Sequence, residues 1–307
     1  MIDRRTKNAQ IFNDTEQRYK SEPTLIEAVR FSTDAQTFIS EKASVAISVA
    51  QSTKKANIVV SSKRSLEAAE PYAKQGKKVC VLNFASASNP GGGVVHGSSA
   101  QEECICRCTT LYPCLNLSAM WDAFYMPHRK ADNPLYNNDC IYTPNVCVFK
   151  SDTNFPELLP KAEWWNVNIL TCAAPNLRER PSNAMNPNAG TTTAKISATE
   201  LEKLLTSRVR RIFEVAVAHG NEVLILGAFG CGAFRNPPEL VAKVFRSVMQ
   251  DYLGCFEVIE YAVYHTEREL ANFEAFSKEM APRTWEGYKS HVKAVDPIAY
   301  GENFKKK

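Results

Sequence analysis

The feature that most constrains the fold of this chain is a series of short apolar segments separated by helical ones. The clearest segment, residues 79–84, reads VCVLNF and follows a helical stretch at residues 65–74. A nearly continuous apolar run of this length is typical of a strand that is buried on both faces of a sheet. Because buried strands and helices follow one another along the chain, the pattern indicates an α/β layer fold.

The same pattern continues over most of the sequence. We expect strands at 57–60, 145–149, 168–172, 222–226 and 258–263, and long helices at 199–219 and 238–253. Residues 1–50 are predicted to be partly helical, because Glu22-Pro23-Thr24 is typical of a helix start. The sequence therefore predicts an N-terminal helical extension at 1–50, one α/β domain at 51–282 and a polar tail at 283–307.

Composition narrows the class of protein. The 307 residues are 44% apolar and carry a net charge of +4, which is compatible with an anionic ligand. No apolar run approaches the ~18 residues that a bilayer span needs, and the polar N-terminus lacks the apolar core of a secretory signal. Several of the ten cysteines lie in apolar runs, which favours free thiols in a reducing compartment. We expect a cytoplasmic or nuclear protein with no membrane partner.

The segment with the strongest functional signal begins where the strand predicted at 79–84 ends. Asn89 and a proline interrupt regular structure and are followed by Gly91, Gly92 and Gly93, the only triple glycine in the chain. Loops at the carboxyl ends of strands in open α/β sheets are where ligands bind. Glycines leave their N–H groups accessible to phosphate or ribose oxygens. The alternative interpretation is a plain tight turn.

Two adjacent acidic residues follow this loop. Gln101, Glu102 and Glu103 come eight residues after the last glycine of the triplet. Two neighbouring carboxylates repel each other when both are desolvated, so the pKa of one of them is raised. A carboxyl group with a raised pKa can act as a general acid, while its ionised neighbour holds a hydroxyl group. Alternatively, the acids simply complement the dipole at the start of a helix.

A second glycine-rich segment follows the strand predicted at 222–226. It reads GAFGCGAFRN from position 227 to 236 and precedes a helix that is expected to begin near Pro238. The backbone N–H groups of a glycine-rich turn between a strand and a helix can bind phosphate. The segment is not a P-loop, because no Gly-Lys-Ser/Thr sequence closes it.

Together these motifs resemble the poly(ADP-ribose) glycohydrolases. The string NPGGG, followed by AQEE and then by TLY, is similar to the bacterial-type members of that family, and the resemblance covers roughly residues 10–280. It implies a three-layer α/β/α macrodomain with a mixed sheet and an N-terminal helical extension. It also implies exo-acting hydrolysis of the ribose–ribose O-glycosidic bond of poly(ADP-ribose), which releases ADP-ribose without a metal or a cofactor.

The resemblance also implies roles for individual residues. Glu103 is expected to protonate the leaving ribose oxygen and then to deprotonate the attacking water, and Glu102 is expected to bind ribose hydroxyls. Gln101 would support that geometry, Asn89 is a candidate ribose contact and Phe234 would pack near the terminal ribose. The other expected substrate contacts are Gly91, Gly92, Gly93, Gly227, Phe229, Gly230, Cys231, Gly232 and Ala233. The chain departs from the family pattern at Ala233, where a branched residue is usual, and at Arg235, where a small one is.

Two other functions in this fold stay open at this point. One is a hydrolase that removes single ADP-ribose groups from ADP-ribosylated proteins or nucleic acid, and the other is a non-catalytic module that binds ADP-ribose. The adjacent acids favour an enzyme, because binding alone does not require them. A metal site is not expected, since the spacing of Cys104, Cys106 and Cys108 scatters the thiols over several faces of a helix.

Overall fold

A computed structural model describes residues 3–47, 54–184, 186–267 and 269–281. Seven strands form one mixed sheet in the order β1-β4-β5-β3-β6-β7-β2. The strands are β1 (Thr37–Ile39), β2 (Asn57–Ser61), β3 (Val79–Phe84), β4 (Cys140–Val148), β5 (Trp165–Cys172), β6 (Val223–Leu226) and β7 (Val258–Ala262). The five strands from β5 to β2 are parallel to one another, whereas β4 is antiparallel to β5 and β1.

Helices cover both faces of this sheet. The α-helices are α1 (Arg4–Ser21), α2 (Pro23–Asp34), α3 (Ser65–Lys74), α4 (Gln101–Cys108), α5 (Leu111–Leu115), α6 (Ser118–Met120), α7 (Met126–Ala131), α8 (Ala198–Ala218), α9 (Pro238–Met249) and α10 (Ala271–Met280). A π-helical turn occupies Trp121–Tyr125, and 3₁₀ turns occupy Val94–His96, Lys161–Glu163 and Gln250–Tyr252.

The central strand β3 shows how the three layers form. Its alternate residues point to opposite faces, as the period of a strand requires. Val79 and Val81 pack in one apolar core, together with residues of α3 and α4. Cys80 and Leu82 pack in the other core, together with residues of α8 and α9. The expected three-layer α/β/α fold with a mixed sheet is therefore confirmed.

The predicted element bounds differ from the structure most at β4. The strand expected at 145–149 begins earlier, at Cys140. Its register shifts between Thr143 and Val146, and Asn145 has a φ of 54° at this irregularity. The bulge interrupts the alternation of side chains, so the sequence pattern reveals only the second half of the strand.

Helix α1 escapes the sequence pattern for a different reason. Its buried residues are Asn8, Phe12, Thr15 and Tyr19, which recur at helical spacing. Two of the four are polar, so a search for apolar periodicity does not find this stripe. The helix start expected at Pro23 is confirmed, because α2 begins there.

The N-terminal segment contributes to the same sheet as the rest of the chain. Strand β1 pairs with β4 at an edge of the sheet, and α1 bonds to the backbone of α4 through Thr15, whose hydroxyl donates to the Arg107 carbonyl at 2.6 Å. The domain boundary predicted at residue 50 falls in the stretch 48–53, and the predicted tail at 283–307 also lies outside the described residues. Among the described residues, no helix has the length and apolar character that a bilayer span requires.

Candidate active site

One cleft of about 790 Å³ brings the two glycine-rich segments together. It opens at the carboxyl ends of β3 and β6, and its volume is in the range of small-molecule sites in proteins. From the two segments it is lined by Gly92, Gly93, Gln101, Glu102, Glu103, Ala228, Gly230, Gly232, Ala233 and Phe234. The two motifs, more than a hundred residues apart in the sequence, therefore form a single site.

Glu102 lies at the bottom of this cleft with both carboxylate oxygens engaged. Its side chain is buried, and it accepts a hydrogen bond from the backbone N–H of Ser86 at 2.7 Å and from the Asn83 amide at 3.3 Å. Asn83 ends the buried strand β3 and also donates to the hydroxyl of Thr171 on β5. The sheet itself therefore fixes the position of this carboxyl group.

Glu103 is held differently. Its Oε1 atom accepts a hydrogen bond from the backbone N–H of Gly93 at 2.9 Å. Its Oε2 atom is buried and has no hydrogen-bond partner within the described structure. An unpartnered buried carboxyl oxygen is unfavourable in a folded protein unless it has another role. In this cleft it is the atom that is free to exchange a proton with a bound molecule.

Burial changes the acidity of both carboxyl groups. Desolvation raises the pKa of Glu102 well above its usual range, and the charge of Glu103 raises it further. Desolvation is also the largest influence on Glu103, whose pKa is raised although the Gly93 N–H opposes the shift. Both residues lie in the first turn of α4, where the helix dipole favours a negative charge. The pair can therefore share one proton and one charge at neutral pH.

The triple glycine is required by the close approach of its loop to these acids. Gly92 has a φ of +57°, and a Cβ at this position would lie 2.5 Å from Oε1 of Glu103 and 3.1 Å from Oε2 of Glu102. Only glycine combines that backbone conformation with the space the carboxylates need. The loop can thus lie directly over the glutamate pair.

Gln101 ties the start of α4 to the end of β3. Its side-chain oxygen accepts from the N–H of Phe84 at 2.9 Å, and its amide donates to the Leu82 carbonyl at 2.8 Å. The amide also donates to the hydroxyl of Ser65 at the start of α3. This residue therefore fixes the helix that carries the two acids.

The second glycine-rich segment is shaped by Gly230 and Asn236. Gly230 has a φ of +76°, and a Cβ there would lie 2.5 Å from the Cβ of Ala174. The buried Asn236 amide closes the turn by donating to the carbonyls of Pro175 at 2.8 Å and Gly230 at 3.1 Å. Arg235 adopts a left-handed conformation with a φ of 59°, which glycine would adopt with less strain.

Five of the predicted contact residues are placed outside the lining of the cleft: Asn89, Gly91, Gly227, Phe229 and Cys231. The ring of Phe229 is fully buried and packs edge-on against Phe84 at 5.7 Å. The Asn89 side chain is engaged by Asn186 and Arg129. Any contact of Phe229 with a ligand would come from its backbone, and the roles of all five residues stay predictions.

Several lining residues were not found from the sequence. Asn83 and Ser86 hold Glu102, and the polar Asn83 inside an otherwise apolar strand was a usable signal. Arg5, Arg64 and Tyr264 also line the cleft, but they come from α1, from the start of α3 and from the segment after β7. No local motif connects these distant positions.

The cysteine cluster after the glutamates is part of the protein interior. Cys104, Cys106, Cys108 and Cys114 are all buried and free. Desolvation raises the pKa of the Cys106 and Cys108 thiols well above their usual range. Within the described part of the chain, no group of three or more potential ligands could hold a metal ion.

Comparisons with known proteins agree with this site. A family model described as the catalytic domain of microbial-type PARG, the poly(ADP-ribose) glycohydrolases, matches residues 8–151. A search of curated protein sequences finds no match. The matched residues include the glycine triplet, Gln101 and both glutamates, whereas the second glycine-rich segment lies beyond them.

Solved structures extend the similarity to most of the chain. The poly(ADP-ribose) glycohydrolase of Thermomonospora curvata is 28% identical, with a TM-score of 0.76 over 90% of this chain and all of that one. The same enzyme bound to the inhibitor ADP-HPD gives a TM-score of 0.75. The enzyme of Deinococcus radiodurans in complex with ADP-ribose is 29% identical, with a TM-score of 0.67 over 82% of this chain and 96% of that one. The chain thus belongs to the microbial-type poly(ADP-ribose) glycohydrolases.

Proposed function

We propose that this chain hydrolyses the ribose–ribose O-glycosidic bond of poly(ADP-ribose) and releases ADP-ribose. The observation that carries the proposal is the free Oε2 atom of Glu103, buried in the cleft that both glycine-rich segments line. Family membership supports the reaction. The ADP-ribose complex of the Deinococcus enzyme and the inhibitor complex of the Thermomonospora enzyme support ADP-ribose as the product.

In this proposal the cleft holds one ADP-ribose unit. The backbone N–H groups of the two glycine-rich segments bind its diphosphate, as anion-binding turns do. Phe234 is half-buried at the lining, with its ring 6.2 Å from that of Tyr136, and packs against the distal ribose. This places the anomeric carbon of that ribose beside the glutamates.

The two glutamates then divide the chemistry. Glu102 has donors on both oxygens, so its ionised form is the better supported one, and it holds ribose hydroxyls. Glu103 has only one engaged oxygen, so its Oε2 can carry the shared proton. This assignment rests on the hydrogen bonds of each oxygen, because burial raises the pKa of both groups.

Bond cleavage needs a proton on the leaving oxygen. Glu103 transfers its proton to the ribose oxygen of the neighbouring unit as the glycosidic bond breaks through an oxocarbenium-like state. The ionised Glu103 then takes a proton from a water molecule that attacks the anomeric carbon. Hydrolysis thus consumes one water and returns the acid to its starting form. No residue of this scheme requires a metal ion or a cofactor.

Three finer points belong to the same proposal. Exo-acting cleavage is carried over from the bacterial-type members and stays a prediction. The partners are poly(ADP-ribose) and ADP-ribosylated proteins, because these carry the bond that is cleaved. A cytoplasmic or nuclear location is supported by the ten cysteines, all of which are free.

The direct test is hydrolysis of labelled poly(ADP-ribose) by the purified protein and by Glu103→Gln. We expect the substitution to lower the rate by roughly two to four decades while ADP-ribose still binds. Equal turnover by both proteins would remove Glu103 from the role of acid. Turnover only of a mono-ADP-ribosylated protein would indicate the second kind of hydrolase, and binding of ADP-ribose without any turnover would indicate a non-catalytic module.

A further inference from the structure

One end of the cleft carries positive charge that the proposed reaction does not use. Arg4 and Arg5, at the start of α1, and Arg64, just before α3, line the cleft together with Ser98 and Ser99. We name Arg4, Arg5 and Arg64 the arginine rim. None of the ion pairs found among the described residues involves an arginine of this rim.

Two of these guanidinium groups converge on one neutral atom. The carbonyl oxygen of the Asn154 side chain accepts from Arg64 at 2.7 Å and from Arg4 at 3.4 Å. Guanidinium groups repel each other at such short separation unless an anion lies between or beside them. The arrangement is therefore typical of a site for a group with negative charge, such as a phosphate.

The third arginine is fixed next to the catalytic loop. The Nε atom of Arg5 donates to the His96 carbonyl at 3.0 Å, and the Arg5 carbonyl lies where a Cβ of Gly97 would be. His96 and Gly97 belong to the connection between Gly93 and the start of α4. Since only one nitrogen of Arg5 is engaged there, its remaining N–H groups can bind a ligand at the edge of the cleft.

Acidic groups at this end are few and mostly occupied. The Asp3 carboxylate caps α1 by accepting from the N–H groups of Arg5 and Thr6. Asp152 lines the cleft, and burial raises its pKa to about 6. Glu269 also lines the cleft. The rim therefore keeps a net positive charge that a repeating polyanion would meet.

We propose that the arginine rim binds the diphosphate of the ADP-ribose unit adjacent to the one in the cleft, so that the protein favours polymer over single ADP-ribose. This inference rests on the proposed function, which gives the glycine-rich segments the diphosphate of the bound unit. A polymer of ADP-ribose has a diphosphate in every unit, so the adjacent one lies outside the glycine loops. Arginines at the exposed rim supply the bidentate donors that a phosphate group accepts.

The test measures binding separately from turnover. A defined oligomer of ADP-ribose and free ADP-ribose are titrated into Glu103→Gln and into the same variant with Arg4→Gln and Arg5→Gln added. We expect the added substitutions to weaken oligomer binding about tenfold and to leave ADP-ribose binding within about twofold. The slope of log K against log salt for the oligomer should fall by roughly 1, since each phosphate contact on a single strand contributes about 0.7.

Two further variants serve as controls. Arg4→Lys with Arg5→Lys should recover much of the oligomer affinity, because the positive charge is retained. Arg30→Gln with Lys42→Gln removes the same charge from exposed positions outside the cleft and should change oligomer binding less than twofold, as expected for distant screened charges.

The outcomes separate this inference from the proposed function. Unchanged oligomer affinity in the arginine variant would overturn the inference, and so would an equal loss of affinity for free ADP-ribose. If the wild-type protein does not hydrolyse the polymer but the arginine variant loses oligomer binding selectively, the rim site stands and the proposed hydrolysis fails.

Discussion

The two glycine-rich segments of the cleft differ in what holds them. In the first, Gly92 is packed against the carboxylates of Glu102 and Glu103, with 2.5 Å between its missing Cβ and the nearer oxygen. In the second, Gly232 and Ala233 are exposed, and a Cβ added at Gly232 would meet nothing within 4 Å. The first segment is thus built around reacting groups, whereas the tip of the second has room to adapt to a ligand. We expect substitutions in the first to affect the rate and those in the second to affect binding.

The sharpest way to break this comparison is a matched pair of substitutions. Gly92→Ala should lower kcat on poly(ADP-ribose) at least about a hundredfold, because the added methyl group must displace the carboxylate of Glu103 and a displaced catalytic group loses rate steeply. Gly232→Ala should keep kcat within about threefold. Similar losses in steady-state assays of both variants would show that the two segments are equally constrained.

A pH profile examines the acid that the first segment positions. Burial raises the pKa of Glu103, and the proposed acid must be protonated to act. The single-turnover rate should therefore fall as the pH rises through this raised pKa, by about tenfold per pH unit above it. In Glu103→Gln this decline should disappear. A wild-type rate that instead rises over the same interval would mean that the ionised form of the group performs the limiting step.

The base of the second segment should respond through binding. Gly230→Ala places a methyl group 2.5 Å from the Cβ of Ala174 and 2.6 Å from the Asn236 amide, at a φ of +76°. We expect the affinity for ADP-ribose to fall about tenfold and the free energy of unfolding to fall by about 1–3 kcal/mol. Calorimetry and denaturant titration measure the two effects. Normal affinity in this variant would exclude the segment from the ligand site.

The smallest effect is expected at Arg235. Its φ of 59° is strained for a residue with a Cβ by about 1–2 kcal/mol, part of which glycine loses again through its greater freedom in the unfolded chain. Arg235→Gly should therefore raise the free energy of unfolding by up to about 1 kcal/mol, whereas Arg235→Ala should not raise it. A gain of equal size in both variants would point to the lost charge instead of the backbone.

The same contrast explains how far the sequence could lead. Strand β3, the glycine triplet and the paired acids are local features, so their order along the chain predicted both the α/β fold and the two segments of the site. The placement of Phe229 in the core was not predicted, because the alternation of side chains in a tight turn has no fixed period. Arg5 and Arg64 reach the cleft only through tertiary packing of α1 and α3, and helix α1 itself buries polar residues such as Asn8 and Thr15.

The central claim, that Glu103 donates a proton to the leaving oxygen, is tested most directly with two leaving groups. One substrate is poly(ADP-ribose), and the other is ADP-ribose with p-nitrophenoxide on the anomeric carbon of its distal ribose, a leaving group that needs little protonation. Glu103→Gln should lose at least about ten times more rate on the polymer than on the activated substrate, because general acid catalysis is redundant for the latter. An equal loss of rate on both substrates would contradict the assignment of Glu103 as the acid.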